Sequence, residues 1–382
     1  MLHFSDQEFA TRKTKLLAKM EAENLDAMLL FAQESMYWLT GYDTFGYCFF
    51  QCLVVKRDGD LALLTRSADL RQARHTSNVE NIVLWTDGVA ANPVIDLRDM
   101  MADLGLLGSR IGVEYDTHGL TALNGRKLDD ALKSFAKLHD ISDIIPTLRL
   151  IKSEEEIKQV RKAARYADLA LEAAIEHTKG GADEGKILAA MQGAIFEAGG
   201  DYPGNPFIIG SGADALLCRY KSGRRKLSKN DQLTIEWAGV SAQYHVAMMR
   251  TLVVGKPNKQ HEPLFEASRD ALLAVEKAMI PGNTFGNLFD AHVKVMDTAG
   301  LSRHRLNACG YTVGARYAPC WMDGEMMFAG NDTIIEPNMT LFAHMIIMDS
   351  DSETAMCLGQ TYLTTENKPK ALSKHGLDFI VL

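Results

Sequence analysis

Apolar positions recur at helical spacing over residues 9–23, and the run Leu25–Phe31 that follows is continuous enough to read as a buried strand. Gly41 and Gly46 then punctuate a loop. Beyond it Phe49–Val55, Leu61–Thr65, Ile82–Leu84 and Ile111–Val113 read as further strands, with helices near residues 94–105 and 118–137 between them. Strands alternating with helices predict an α/β domain with a mixed or parallel sheet.

The pattern changes near residue 150. Ile144-Ile145-Pro146 closes one unit, and Ser153-Glu-Glu-Glu156 opens a helix with a capping box, Ser153 capping the first turn and Glu156 reaching back. Ile157, Val160, Ala164, Ala167, Leu171 and Ala174 mark its apolar face. Gly180-Gly181 stops it, Asp183 caps a second helix, and Gly199-Gly200 ends that one. The order then recurs. A helix over 263–279 stops at Pro281-Gly282, and another runs from Thr284 to Gly300. Phe207–Gly210 and Leu233–Ala238 read as strands after the first pair, Thr340–Met348 and Thr361–Thr364 after the second. Helix–helix–strands, twice, predicts a pseudo-twofold α+β domain with a cleft between its halves, although no residue-level repeat is detectable. The expected division is 1–148 and 149–382.

Composition narrows the partners. The 382 residues are 47% hydrophobic and 24% charged, enough for a large core. A net charge of −8 favours solubility and argues against nucleic acid. The one dense basic cluster is Arg219, Lys221, Arg224, Arg225 and Lys226, a solvated turn or a contact for an anionic substrate. No secretory signal and no membrane span is expected, and the six cysteines are scattered, so a cytoplasmic chain with reduced thiols is the expectation. Cys48 and Cys52 read as alternation on a strand rather than as a zinc site.

Several ordered motifs resemble the creatinase/prolidase, or pita-bread, family. Met36-Tyr-Trp-Leu-Thr-Gly-Tyr42 resembles a motif of its N-terminal domains, and Leu150-Ile-Lys-Ser-Glu-Glu-Glu-Ile157 its entry into the catalytic domain. Phe207-Ile-Ile-Gly-Ser-Gly212, Asp231–Gly239, Tyr244–Thr251 and Ile335–Met339 follow in the family's order. The resemblance implies a creatinase-type α/β N-terminal domain, a pita-bread catalytic domain and a homodimer. In such a dimer one N-terminal domain lids the partner's cleft, a task for Phe45, Tyr47 and Phe49 unless they pack in the core.

Metal-using members surround two ions with Asp, Asp, His, Glu and Glu, since bridging carboxylates activate a water between paired metals. At the matching positions this chain has Glu236, Ala247, Tyr311, His344 and Gly359 or Gln360. Two ligands do not make a dinuclear centre, so no metal and no cofactor is expected. The metal-free branches, creatinase and ectoine hydrolase, are similar in this loss. The ectoine-hydrolase side is similar also in Glu236-Trp-Ala-Gly239, Tyr244-His245, Gly310-Tyr311 to Gly314 and Tyr317-Ala-Pro-Cys-Trp321. Where both branches carry a histidine general base, this chain has Arg219, which stays protonated and cannot take a proton. Gln360 stands where the ectoine type has a glutamate.

The resemblance implies a hydrolase cleaving a C–N bond in a small carboxylate-bearing nitrogen compound without metal. The expected catalytic residues are Glu236, His245, His344 and Tyr311. Glu236 lies mid-strand among apolar neighbours, where a carboxylate needs a partner or a purpose. It would hold the nitrogen end, or act as base if burial raises its pKa. His245 or His344 would activate water, and Tyr311 would donate to the oxyanion. Arg219 would grip the substrate carboxylate, with Gln360 and Trp321 as further substrate contacts, and Arg250, at the place of a family arginine, would either touch the substrate or support the cleft by structural pairing. The rival readings are an Xaa-Pro dipeptidase and a cleft that binds without turnover. Asp349-Ser350-Asp351-Ser352 lacks the glycine and terminal glutamate of a calcium loop and reads as a turn.

Overall fold

A computed structural model describes residues 2–219 and 225–382; Lys221 and Arg224 of the basic cluster lie outside the described residues. The chain forms two compact units, Met1–Arg149 and Leu150–Leu382.

The first unit holds a six-stranded mixed sheet. Its strands are β1 (Ala27–Leu30), β2 (Cys52–Lys56), β3 (Leu61–Arg66), β4 (Asn81–Trp85), β5 (Arg110–Val113) and β6 (Lys137–Asp140), in the order β4-β3-β2-β1-β5-β6. Central β1 is buried on both faces, so its four residues divide between two cores. Ala27 and Leu29 join α4 (Pro93–Asp103) and α5 (Ala122–Leu132), whereas Met28 and Leu30 join α1 (Asp6–Ala22), α2 (Gln33–Thr40) and α3 (Leu70–Thr76). The helix expected over 118–137 is shorter, and its last residue begins edge strand β6. Helix α2, not foreseen, lacks a local cap. The carboxylate of Glu114, 82 to 83 residues downstream, accepts the amides of Phe31 and Ala32 and the Ser35 hydroxyl instead. Cys48 lies in a short 3-10 turn before β2 rather than on a strand. All six cysteines are free. Phe45 and Phe49 are exposed rather than packed in a core, with the Arg66 guanidinium 4.2 Å over the Phe49 ring.

Short helix α6 (Ile144–Leu150) leads to the second unit. The capping box at Ser153 and Glu156 forms as read, and α7 (Glu154–His177) buries Ile157, Val160, Ala164, Ala167, Leu171 and Ala174. Then come α8 (Glu184–Glu197), β7 (Ile208–Ser211), β8 (Asp231–Ser241) and β9 (Tyr244–Val254). The order recurs with α9 (His261–Ala278), α10 (Phe285–Thr298), β10 (Gly310–Val313), β11 (Met322–Met326), β12 (Thr340–Asp349) and β13 (Thr354–Leu363). The strands run β11-β10-β12-β13-β9-β8-β7, so the two halves meet where β13 pairs with β9.

All four long helices cover one face of this sheet. Leu341, Ala343, Met345, Ile347 and Leu358 pack against α9 and α10, while the Trp237 indole donates to the Ala167 carbonyl of α7 at 2.9 Å. Gly239 makes that approach possible, because a β-carbon there would lie 2.0 Å from the Ala163 carbonyl oxygen. The alternate residues of each strand point to the other face, which is free of these four helices. Among the described residues no helix is long and apolar enough to cross a membrane.

Candidate active site

Residues paired across a ladder share a face, and one row crosses the middle of the sheet. Glu236 pairs with Met249, Met249 with Gly359, and Gly359 with His344. Trp237, next to Glu236, is on the helix side, so this row lies on the helix-free face. Ala247 is two residues from Met249 and shares that face. Tyr311 pairs with Phe342, two residues from His344, and shares it too.

The sheet curls enough for these groups to meet. The Tyr311 hydroxyl donates to Glu236 Oε1 at 3.1 Å and accepts from the Trp321 indole at 2.8 Å. The rings of Tyr311, Phe342 and His344 lie 5.2 to 5.5 Å apart. Glu236 is 7% exposed, and burial drives its carboxyl from an ordinary 4.5 up to about 7, against the pull of the Tyr311 hydrogen bond and the Arg219 charge. His344, also 7% exposed, is pushed down to about 4 by burial, then by the neighbouring His292. Its Nδ1 has no hydrogen-bond partner. Arg219 is exposed, and its charge is felt at both Glu236 and His344.

The expectations for five residues change. His245 faces the same side, but both ring nitrogens are committed to backbone: Nε2 accepts the Gly204 amide at 2.8 Å, and Nδ1 faces the Gly314 carbonyl at 3.2 Å. No nitrogen is left for a water. Arg250 and Gln360 fall on the helix face. Arg250 pairs with Ile235 and Leu358, and its Nη1 donates to the carbonyls of Met249 and Gly359; Gln360 donates to the Tyr362 hydroxyl. Neither is placed to touch a substrate on the opposite face. Trp321 is 1% exposed with its N–H spent on Tyr311, so it is a wall rather than a contact. Tyr311 itself gives its single proton to Glu236, which removes it as the oxyanion donor.

Three neighbours escaped the sequence reading. Phe342 shares the row's face because it precedes His344 by two on one strand, a parity the sequence carries. Cys218 and Cys357 feel the Glu236 charge, and burial raises both thiols.

The donor set does not fit a paired-metal centre. Ladder parity places Gly359, not Gln360, in the row, so three of the five positions carry Ala247, Tyr311 and Gly359. A β-carbon at 359 would press within 3.0 Å of His344 and Phe342. Among the described residues one His/Asp trio has ligand atoms close together, His304, Asp349 and Asp351. It lies at the end of β12, five residues beyond His344 or roughly 17 Å along the strand. There Asp349 is occupied as a turn residue, accepting the amides of Asp351 and Ser352.

The family model described as metallopeptidase family M24 matches residues 158–366, and that of the creatinase/prolidase N-terminal domain matches 12–151. An ectoine hydrolase of Halomonas elongata is 27% identical over 362 residues, 89% of each chain. An Xaa-Pro dipeptidase of Pyrococcus furiosus is 24% identical over 95% of this chain and 97% of its own length. An uncharacterised hydrolase/peptidase of Sinorhizobium fredii is 26% identical over 100% of this chain and 99% of its own. Among solved structures, the prolidase of Thermococcus sibiricus superposes with a TM-score of 0.89 at 21% identity, covering 99% of this chain and 100% of that one. The helix-backed curled sheet is thus the pita-bread fold, preceded in the sequence by a creatinase-type α/β domain, and the chain belongs to the M24 family of hydrolases.

Proposed function

We propose that the helix-free face is a metal-independent hydrolytic site for a C–N bond, amide or amidine, in a small nitrogen compound bearing a carboxylate. The observation that carries this reading is Glu236: a carboxyl lifted to about 7, held by Tyr311, on a face where the other positions matching the family's ligands carry Ala247, Tyr311, His344 and Gly359.

Magnitudes choose the base. A general base works best with a pKa near the operating pH. Glu236 at about 7 meets that, and His344 at about 4 is a far weaker proton acceptor. Glu236 takes the proton from water as the hydroxide oxygen bonds to the electrophilic carbon. It then returns that proton to the nitrogen as the C–N bond breaks. His344 is neutral and offers an unpartnered Nδ1 to orient water or substrate. Arg219, always charged, suits the substrate carboxylate.

Elemental analysis of the purified chain, with a chelator-treated sample in thermal-shift and turnover assays against small amidines, betaines and Xaa-Pro dipeptides, tests the reading. Far less than one metal per chain, chelator-insensitive turnover and a carboxylate-bearing nitrogen substrate would support it. One or two metals per chain with dipeptide cleavage would replace it with the dipeptidase, and tight binding without turnover would replace it with a binding protein.

A further inference from the structure

Strands β9 and β10 are not neighbours, because β12 and β13 lie between them. At one end they nevertheless meet. Tyr244 bridges to Ala315, and the His245 amide donates to the Gly314 carbonyl at 3.1 Å. This is the seam that holds the sheet curled. His245 is wholly buried at it. A carbonyl only accepts, so Nδ1 carries the proton towards Gly314; an amide only donates, so Nε2 is bare towards Gly204. One ring therefore ties three segments: the start of β9, the end of β10, and the loop at Gly204.

That loop carries the wall of the site. A β-carbon on Gly204 would lie 3.0 Å from the backbone of Cys320 and Trp321, and Asn205 Oδ1 accepts the Trp321 amide at 3.1 Å. The Trp321 indole holds the Tyr311 hydroxyl, which holds Glu236.

We propose that His245 is a positioning residue: by clamping Gly204 to Gly314 it closes the seam, seats Trp321, and through Tyr311 fixes the hydrogen bond on Glu236. Its importance for catalysis rests on Glu236 being the base, but the clamp itself can be tested without turnover. The titratable and charged groups facing Glu236 are Arg219, Cys218, Cys357 and Tyr311, and only Tyr311 depends on this wall. Those facing the His245 ring are Arg316 and Asp323.

Infrared difference spectra of the full chain across pH follow the Glu236 carboxyl, assigned by its loss in E236Q. Removing the Tyr311 hydrogen bond from the carboxylate should move the midpoint up by about one pH unit. Y311F shows that shift directly. H245A should show a shift in the same direction, and H245Q, whose carboxamide keeps one donor and one acceptor, should restore the wild-type midpoint. A folded H245A with the wild-type midpoint, beside a shifted Y311F, would overturn the proposal. Should H245A not fold, N205A cuts the wall at the half-buried loop, and an unmoved midpoint there overturns it equally. If the midpoint moves in H245A yet E236Q turns substrate over normally, the clamp stands and the reading of Glu236 as base falls.

Discussion

The Tyr311 hydroxyl reaches Glu236 Oε1 at 3.1 Å although β12, β13 and β9 separate their strands in the ladder. In a flat sheet four strand spacings amount to roughly 19 Å, more than the two side chains span together. The contact therefore measures the curl of the sheet.

Replacing Tyr311 by phenylalanine tests what that contact does. The hydrogen bond favours the ionised form, so its loss raises the Glu236 pKa further above about 7. A rise of about one unit would cut the carboxylate fraction at pH 7 about fivefold. The acid limb of the pH–rate profile should move up with it, while activity well above pH 8 recovers. An unmoved limb with uniformly lower activity would assign Tyr311 to the substrate instead.

The same carboxyl makes stability depend on pH. Its folded pKa of about 7 stands above its ordinary 4.5, so the folded state binds the extra proton between those values and stability falls as pH rises through them. The full penalty above pH 7 is ~3 kcal/mol. E236Q, which cannot ionise, should match the wild type near pH 4.5 and exceed it by that amount near pH 8.5 in denaturant melts. Equal melts at the higher pH would mean that the carboxylate is solvated after all.

Much of this fold was legible because its signals are local. The capping box at Ser153 and Glu156, the apolar stripe of α7 and the glycine stops sit in single stretches of chain. What failed was non-local. Helix α2 has its N-terminus capped by Glu114, and the β8–β9 hairpin turns through Ala242 and Gln243, both at positive φ without glycine or asparagine to announce it. At the site, Glu236 and His344 were readable as polar residues in apolar strands. Gln360, and Arg250 in its reading as a substrate contact, fall on the wrong face because motif matching is blind to parity, and a single residue along a strand decides which face a side chain serves. His245 was misread for another reason: its partners, Gly204 and Gly314, contribute only backbone.

Gly239 tests the helix side of the same strand. A β-carbon there meets the Ala163 carbonyl oxygen at 2.0 Å and the Ala167 amide nitrogen at 2.4 Å, both backbone atoms of α7 that no side-chain rotation can move. G239A should therefore push α7 off β8, break the Trp237–Ala167 hydrogen bond and cost about 3 kcal/mol or more. Thermal melts with Trp237 fluorescence read both effects, and a loss below about 1 kcal/mol would show that the helix packs less closely than described.

The acid limit of stability should be set by three buried imidazoles. His245, His292 and His344 are each pushed by burial from 6.5 to about 4. Unfolding lets them take protons that the fold refuses, so stability is whole above pH 6.5 and is lost as pH falls through 4. Each contributes a loss of ~3 kcal/mol, and three together approach the 5–15 kcal/mol that typically holds a domain folded. Stability is thus expected to fall progressively from pH 6.5, with acid unfolding at the low end of the window, near pH 4. His292 is the variant to choose, because one nitrogen meets only the Met345 sulfur, the other has no partner, and neither serves the proposed base. H292L should resist acid better than the wild type while matching or falling slightly below it at pH 7.5, where the folded protein holds these three imidazoles neutral. Equal acid midpoints for the two proteins would show that His292 is reached by water before the unit unfolds.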